Sequence, residues 1–260
     1  MRANRAAVSI AFLLFGITAG TFLPRLSAIK DNLHMTDGQV GVVFLVFAAG
    51  AVISAGAGRP ILARGARTPV RIGVFAMCAL LAAQGLAPSF LSLTLVFFMV
   101  GLCAGAVDML LNSQATEIER NAGRPMINSF HAFWSLGSIV GSLLAVAAAA
   151  AAISPAVHLT IVGVGLAAAS LPLVAAVPDT RGAAAVLVAP GSGRWHIGAA
   201  VFVVSLLALV SVTVEGAGGD WSAIYLRDFG HAAESVAALG FGVLSVAMTA
   251  VRFSPNRPIA

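Results

Sequence analysis

Apolar residues in this chain come in long runs separated by short polar breaks. A run of about 20 is what crosses the roughly 30 Å hydrocarbon core of a bilayer as a helix. Eight such runs are present, at approximately 7–24, 38–57, 70–87, 91–112, 128–150, 156–177, 196–214 and 235–251. They are continuously apolar and do not alternate every second residue, so the pattern predicts helices and not the strands of a barrel. The expected fold is all-α, a polytopic bundle of about eight transmembrane helices. Glycines four residues apart at Gly16 and Gly20, Gly101 and Gly105, and Gly137 and Gly141 put a stripe of small residues on three of these helices, where two backbones can approach closely. The alanine-rich run from Ala145 to Ala152 is compositional and implies no site.

Composition agrees with the pattern: 59% of the 260 residues are hydrophobic and 10% are charged. A soluble domain carries roughly 25% charged residues to cover its surface, so the chain is read as an integral membrane protein with the lipid bilayer as its main partner. The two cysteines, Cys78 and Cys103, fall inside apolar runs, which makes a disulfide framework improbable. The first run follows Arg2 and Arg5 as a signal peptide would, but it is long and ends in LPRLSAIK without a small-x-small cleavage site, so it is read as a retained helix.

Charge sets orientation. With the N-terminus in the cytoplasm, the inside segments hold Arg2, Arg5, Arg59, Arg64, Arg67, Arg71, Arg120, Arg124, Arg181, Arg194, Arg252 and Arg257, and the outside segments hold Arg25, Lys30 and Arg227. Twelve against three follows the positive-inside rule and predicts a multi-pass protein with a cytoplasmic N-terminus. The net charge of +5 is then a topology signal that suits anionic headgroups, and no nucleic-acid partner is implied. The longest polar break after residue 150, Pro178 to Trp195, divides an N-terminal bundle of six spans over 1–177 from two spans over 196–260, with 178–195 as a cytoplasmic linker.

Three stretches carry a resemblance: LPRLSAIKDNLHMTDGQVG at 23–41, MLLNSQATEIERNAGRPMINSFHAFWSLGSIVG at 109–141 and EGAGGDWSAIYLRD at 215–228. By their order and spacing the chain resembles the major facilitator superfamily, in a bacterial branch loosely similar to fucose-permease-type sugar transporters. The resemblance covers about residues 8–252. It implies two six-helix bundles around a central cavity lined by the first, fourth and seventh helices. Against that pattern, Leu62 stands where an acidic residue belongs in the loop between the second and third spans, although Gly58, Gly65 and Arg67 fit. The family would also continue through four more helices beyond VRFSPNRPIA, so the chain is expected to be a C-terminally truncated form.

Candidate chemistry gathers between Asp108 and Ser142. Asp108 and Asn112 lie one helical turn apart near the end of the fourth span, and a carboxylate facing lipid there costs about 2–3 kcal/mol. The pair is read either as a site for substrate hydroxyls, a proton or a basic partner, or as a structural hydrogen-bonding pair. In the fifth span His131, Trp134, Ser135, Ser138 and Ser142 share one helix face. That face suits a sugar-like ligand, the ring covering its apolar side and the polar groups meeting its hydroxyls, or else a helix–helix contact with serines bonded to carbonyls. Glu117, Glu119, Arg120 and Arg124, in the connection between these spans, together with Arg64 and Arg67 in the loop before the third, are placed either to form ion pairs that open and close as the bundles rock or to be solvated loop charges. Glu215, with Asp220 and Trp221, follows the seventh span before a flexible GAGG run; Asp108 and Glu215 are the carboxylates read as candidates for proton coupling, and simple exposure is the alternative for Glu215.

Phosphate-cradling loops, serine elbows and histidine or cysteine clusters with metal spacing do not occur in the sequence. The expected function is therefore not enzymatic and needs no cofactor or metal. Two functions remain in view: a secondary transporter that moves a small sugar-like or drug-like solute by alternating access, with protons as coupling ion, or a non-transporting membrane protein such as a sensor or an inactive remnant.

Overall fold

The structure is a computed structural model that describes residues 2–57, 61, 64–179 and 198–253. Nine α-helices are described: α1 (Arg2–Phe22), α2 (Leu26–Asn32), α3 (Asp37–Gly56), α4 (Arg67–Leu86), α5 (Phe90–Ala122), α6 (Ile127–Ala150), α7 (Pro155–Leu173), α8 (Ala199–Asp228) and α9 (Glu234–Phe253). A 3-10 turn, Leu23–Arg25, joins α1 to α2, so the first membrane crossing runs without a break from Ala3 to Asn32. Seven helical segments are long and apolar enough to cross a membrane, and Glu234–Ala250 is a shorter apolar helix, so each of the eight expected spans has its helix. Of the expected linker only Pro178 and Asp179 lie within the described residues, and Gly58 and Leu62 of the motif loop lie outside them.

Local chemistry sets several ends. The Thr36 hydroxyl accepts from the Gln39 N–H and the Gln39 side chain accepts from the Thr36 N–H, a capping box that starts α3; Ser89 with Ser92 and Ser154 with Val157 start α5 and α7. Gly123 stops α5 with φ +64°, where its N–H closes on the Glu119 carbonyl at 3.0 Å, and only glycine adopts that left-handed backbone without strain.

Two expected boundaries are corrected. The seventh crossing does not end at 214: α8 continues through Glu215, the GAGG run and Asp220 to Asp228. The glycines of that run stay helical because α9 lies against them, with Leu244 beside Gly218 and the Phe241 ring beside Gly219. Likewise α5 continues through Glu117, Glu119 and Arg120, leaving a connection to α6 of only a few residues, and Asp108 sits near the middle of this 33-residue helix and not at its end. Both errors arise where polar residues lower the hydropathy of a window although the helix goes on.

The three glycine pairs do what their spacing predicts. α1 and α6 cross so closely that a Cβ added at Gly16 would meet the Trp134 carbonyl, and one at Gly137 the Leu13 carbonyl. α3 and α5 meet in the same way, a Cβ at Gly50 falling 2.6 Å from the Phe98 oxygen and one at Gly101 against the Phe47 oxygen. α7 closes on α4, and α9 on α6, where Ser142 lies beside Gly242 and donates to the Ala238 carbonyl at 3.4 Å. Two apolar cores result. One, around Phe12, Val70, Leu110, Leu111 and Phe130, lies toward the end of the bundle where α1 begins; the other, around Phe22, Leu81, Leu93, Phe97 and Leu159, lies toward the opposite end and includes Ile224 of α8.

Candidate functional site

Between the cores α1, α3, α4, α5 and α8 enclose a cavity of about 290 Å³. Its wall is aromatic: Phe15, Phe22, Phe44, Phe47 and Phe97 line it, and Phe97 is the hub, its ring centroid 4.9 Å from Phe22 and 6.2 Å from both Phe44 and Phe47. Three polar side chains line it, Thr18, Gln84 and Asp220. The Thr18 hydroxyl is engaged by its own helix, donating to the Phe15 carbonyl at 2.8 Å. Asp220 enters from α8 and has no hydrogen-bond or ion-pair partner among the described residues. Trp221, next to it, places its ring 6.2 Å from Phe44 and so joins the same aromatic cluster.

On the side of this cavity toward the start of α1, α5 continues one turn beyond Ala104 to Asp108. The Asn112 amide donates to the Asp108 carbonyl oxygen at 2.9 Å and to its carboxylate Oδ1 at 3.1 Å, and His131 Nε2 lies 3.1 Å from Asn112 Oδ1. Asp108, Asn112 and His131, read separately from two spans, therefore form one hydrogen-bonded chain across α5 and α6. The His131 ring also lies 5.3 Å from Phe12. Asp108 is exposed at mid-helix, a depth at which facing lipid costs about 2.5–3.5 kcal/mol, so this face belongs against water or protein. Trp134 meets Phe15 of the cavity wall edge-on at 6.5 Å. Ser135 and Ser138 are fully buried, and their hydroxyls donate to the His131 and Trp134 carbonyls at 3.3 and 3.1 Å; the Ser138 backbone lies at the crossing with α1, against Gly20. Glu215 lies in the middle of α8, half-buried, rather than in a loop beyond its end.

The charges considered for gating divide. Glu119 caps α6, its carboxylate accepting from the backbone N–H groups of Met126 and Ile127 at 2.5 and 2.8 Å, and so does not reach the loop before α4. Glu117 and Arg124 form no ion pair with each other in this conformation, and Arg120 forms none among the described residues. Arg67 donates through Nε to the Val177 carbonyl at 2.8 Å, and its backbone N–H reaches Asp179 at 3.4 Å. Gly65, at φ +114°, leaves room for the Asp179 carboxylate, which would lie 2.5 Å from a Cβ there. Buried Gln114 donates to the Pro178 carbonyl at 2.8 Å, so the start of the expected linker is tied to both α4 and α5. Arg64 lies in the same loop and has a partner of its own.

A second charge cluster lies at the opposite end. Arg25, fully buried, places Nε 3.1 Å from Glu234 Oε1 and donates through Nη2 to the Ile153 carbonyl at 2.5 Å, while its Nη1 has no hydrogen-bond partner. The Arg25–Glu234 contact is an ion pair whose angle does not make a hydrogen bond. Lys30 bridges Asp37, at 2.6 Å, and Asp228, and Arg227 lies 3.6 Å from Asp31. Replacing Asn112 by alanine removes the link between Asp108 and His131; the expected loss is about 1 kcal/mol of stability, read as a lower thermal midpoint in detergent.

No family model matches the chain. It is 35% identical over 259 residues to an uncharacterized transporter, y4wD, of Sinorhizobium fredii, covering 96% of this chain and 66% of that protein. An uncharacterized MFS-type transporter of Yersinia pestis is 24% identical, covering 98% of this chain and 65% of its own length. The chain is thus similar to named transporters, one of them of the MFS type. The membrane protein MosC of Rhizobium meliloti is also similar, at 25% identity over 96% of this chain and 61% of that protein. Among solved structures the nucleoside transporter NupG shares the fold, with a TM-score of 0.64 at 15% identity, over 97% of this chain and 64% of that one. The chain thus spans about two thirds, or somewhat less, of the length of the curated relatives it matches. The transporter names of these relatives accord with the non-enzymatic reading. Sequence reasoning did not find Asp220 or Gln84 as cavity residues; an isolated glutamine in an otherwise apolar span was the available signal for Gln84, and for Asp220 the helix had to be known to continue.

Proposed function

We propose that this chain forms part of a secondary transporter that moves a small solute across the bacterial inner membrane by alternating access, coupled to protons, with the start of α1 in the cytoplasm. The observation that carries this reading is the cavity, whose wall is drawn from helices on both sides of the 178–195 linker: α1, α3, α4 and α5 before it, and Asp220 of α8 after it. A solute held there touches both groups of helices, so its binding is sensitive to their relative movement. The transporter names of the relatives support the same reading.

In this proposal the ion pairs of Arg25 and Lys30 with Glu234 and Asp228 close the end away from the start of α1, since each joins a residue before the linker to one after it. At the other end the arginines Arg64, Arg67, Arg120 and Arg124, with Glu117 and Glu119, form the opposing set that remakes contacts when the bundles rock. Asp108 and Glu215 carry the proton, Asn112 and His131 hold Asp108 in its hydrogen-bonded chain, Trp134 and Ser135 support the wall behind them, and the solute is sugar-like or drug-like, or a nucleoside as the name of the fold neighbour would have it.

Proteoliposomes holding the protein and a pH-sensitive dye test this directly. Addition of a transported solute is expected to move protons, and neutralising both carboxylates (Asp108→Asn with Glu215→Gln) should lower that movement at least tenfold. Coupling through these carboxylates is wrong if the double variant moves protons as fast as the parent, and the transport reading falls if sugars, nucleosides and amines all fail to move either protons or themselves.

A further inference from the structure

Resting on that reading of the cavity as the solute seat, we propose that its occupant is an organic cation: an ammonium group on a compact apolar body, held by Asp220 against the phenylalanine rings. The cavity offers one full charge, the Asp220 carboxylate, and no lysine, arginine or histidine among the described residues lines it. That carboxylate has no partner among the described residues, in a pocket whose remaining polar groups are one amide and one hydroxyl already bonded to Phe15. A carboxylate set among apolar groups favours a counter-charge, because the apolar wall offers it no hydrogen bonds. The faces of aromatic rings attract the same charge, and the phenylalanines of the Phe97 cluster line the same cavity as the carboxylate.

The other solute classes fit this wall less well. A polyol needs a partner for each hydroxyl, and burying one here leaves most of its groups unbonded, at about 1–3 kcal/mol for each. An anion is opposed by Asp220. The volume of about 290 Å³ admits a small ring-bearing amine and is at the lower end of small-molecule sites.

Four probes decide it: phenethylammonium, phenethyl alcohol and phenylacetate, which share one apolar body, and uridine as a neutral polar heterocycle. Binding to the purified full chain in detergent is measured by calorimetry and by thermal shift. The ammonium should bind at least tenfold more tightly than the alcohol. Asp220→Asn should bring that ratio to within about twofold, and Asp220→Glu should preserve it. Elution and unaltered thermal midpoint of the free variants show that they remain folded. The proposal is overturned if the alcohol, the carboxylate or uridine binds as tightly as the ammonium, if Asp220→Asn keeps the preference, or if none of the four binds. Tight binding of a neutral probe would overturn the cation while leaving the transport reading intact; that reading is judged separately by solute-driven proton movement.

Discussion

Gly137→Leu is expected to yield no monodisperse protein in detergent. The α1–α6 crossing rests on four glycines, Gly16 and Gly20 on one helix and Gly137 and Gly141 on the other, and each faces the partner's backbone. A Cβ at Gly137 would lie 2.9 Å from the Ile17 nitrogen and nearer still to the Leu13 carbonyl, which are main-chain atoms of a helix and cannot rotate aside. Larger side chains must therefore force the helices apart. That separation removes the close contacts that hold helices together where lipid provides no hydrophobic drive, and it opens the seam at which the Ser138 backbone meets Gly20. Overpacking alone costs about 1–3 kcal/mol, and a leucine that displaces a whole seam should exceed that range. Gly165→Ala is the matched control: nothing lies within 4 Å of a Cβ there, and the helix should gain about 1 kcal/mol or less from the exchange. Size-exclusion profiles and thermal midpoints of the two variants check the pair of expectations; a Gly137→Leu protein as stable as its parent would show that the crossing is looser than described.

Arg25→Met should cost the second-largest amount, about 3 kcal/mol. The Arg25 side chain is buried, its Nε beside Glu234 and its Nη2 on the Ile153 carbonyl. Removing it strands a carboxylate and a carbonyl together, and breaking a buried pair from one side typically costs about 3–5 kcal/mol. The lower end is expected because the Glu234 side chain keeps 31% of its exposure and water can recover part of its solvation. Glu234→Gln should cost less, since arginine retains its bond to Ile153. If the two residues act as a pair, the double variant Arg25→Met with Glu234→Gln will be less destabilised than the sum of the singles. Thermal unfolding of the four proteins gives the coupling; strict additivity would reduce Arg25 to a local contact of the α6–α7 turn and remove its role in holding the two sets of helices together.

These residues also show what a linear reading can and cannot reach. The three basic residues counted on the sparsely charged side were Arg25, Lys30 and Arg227, and all three are ion-paired in the structure. Counting them gave an orientation. It could not give their partners, because Lys30 and Asp228 are 198 positions apart and nothing in either neighbourhood marks the other. The same holds for Asp108, Asn112 and His131: each was a polar anomaly in an apolar span, and only the contact of α5 with α6 makes them one chain. For Ser135 and Ser138 the helical face was right, but a face lined by hydroxyls looks the same in sequence whether it opens onto solute or closes on protein, and here both side chains are buried.

By itself the sequence determined the class, the places of the eight apolar helices and the glycine seams, because the width of a bilayer and the size of a side chain are local demands that each helix must meet alone. Tertiary structure alone decided how far α5 and α8 run past their apolar cores, which carboxylate reaches the cavity and which charges join the two sets of helices. Those outcomes depend on what stands opposite each residue. A glycine run beside an aspartate reads as a loop until α9 covers it, and once covered it carries Asp220 into the phenylalanine-lined cavity.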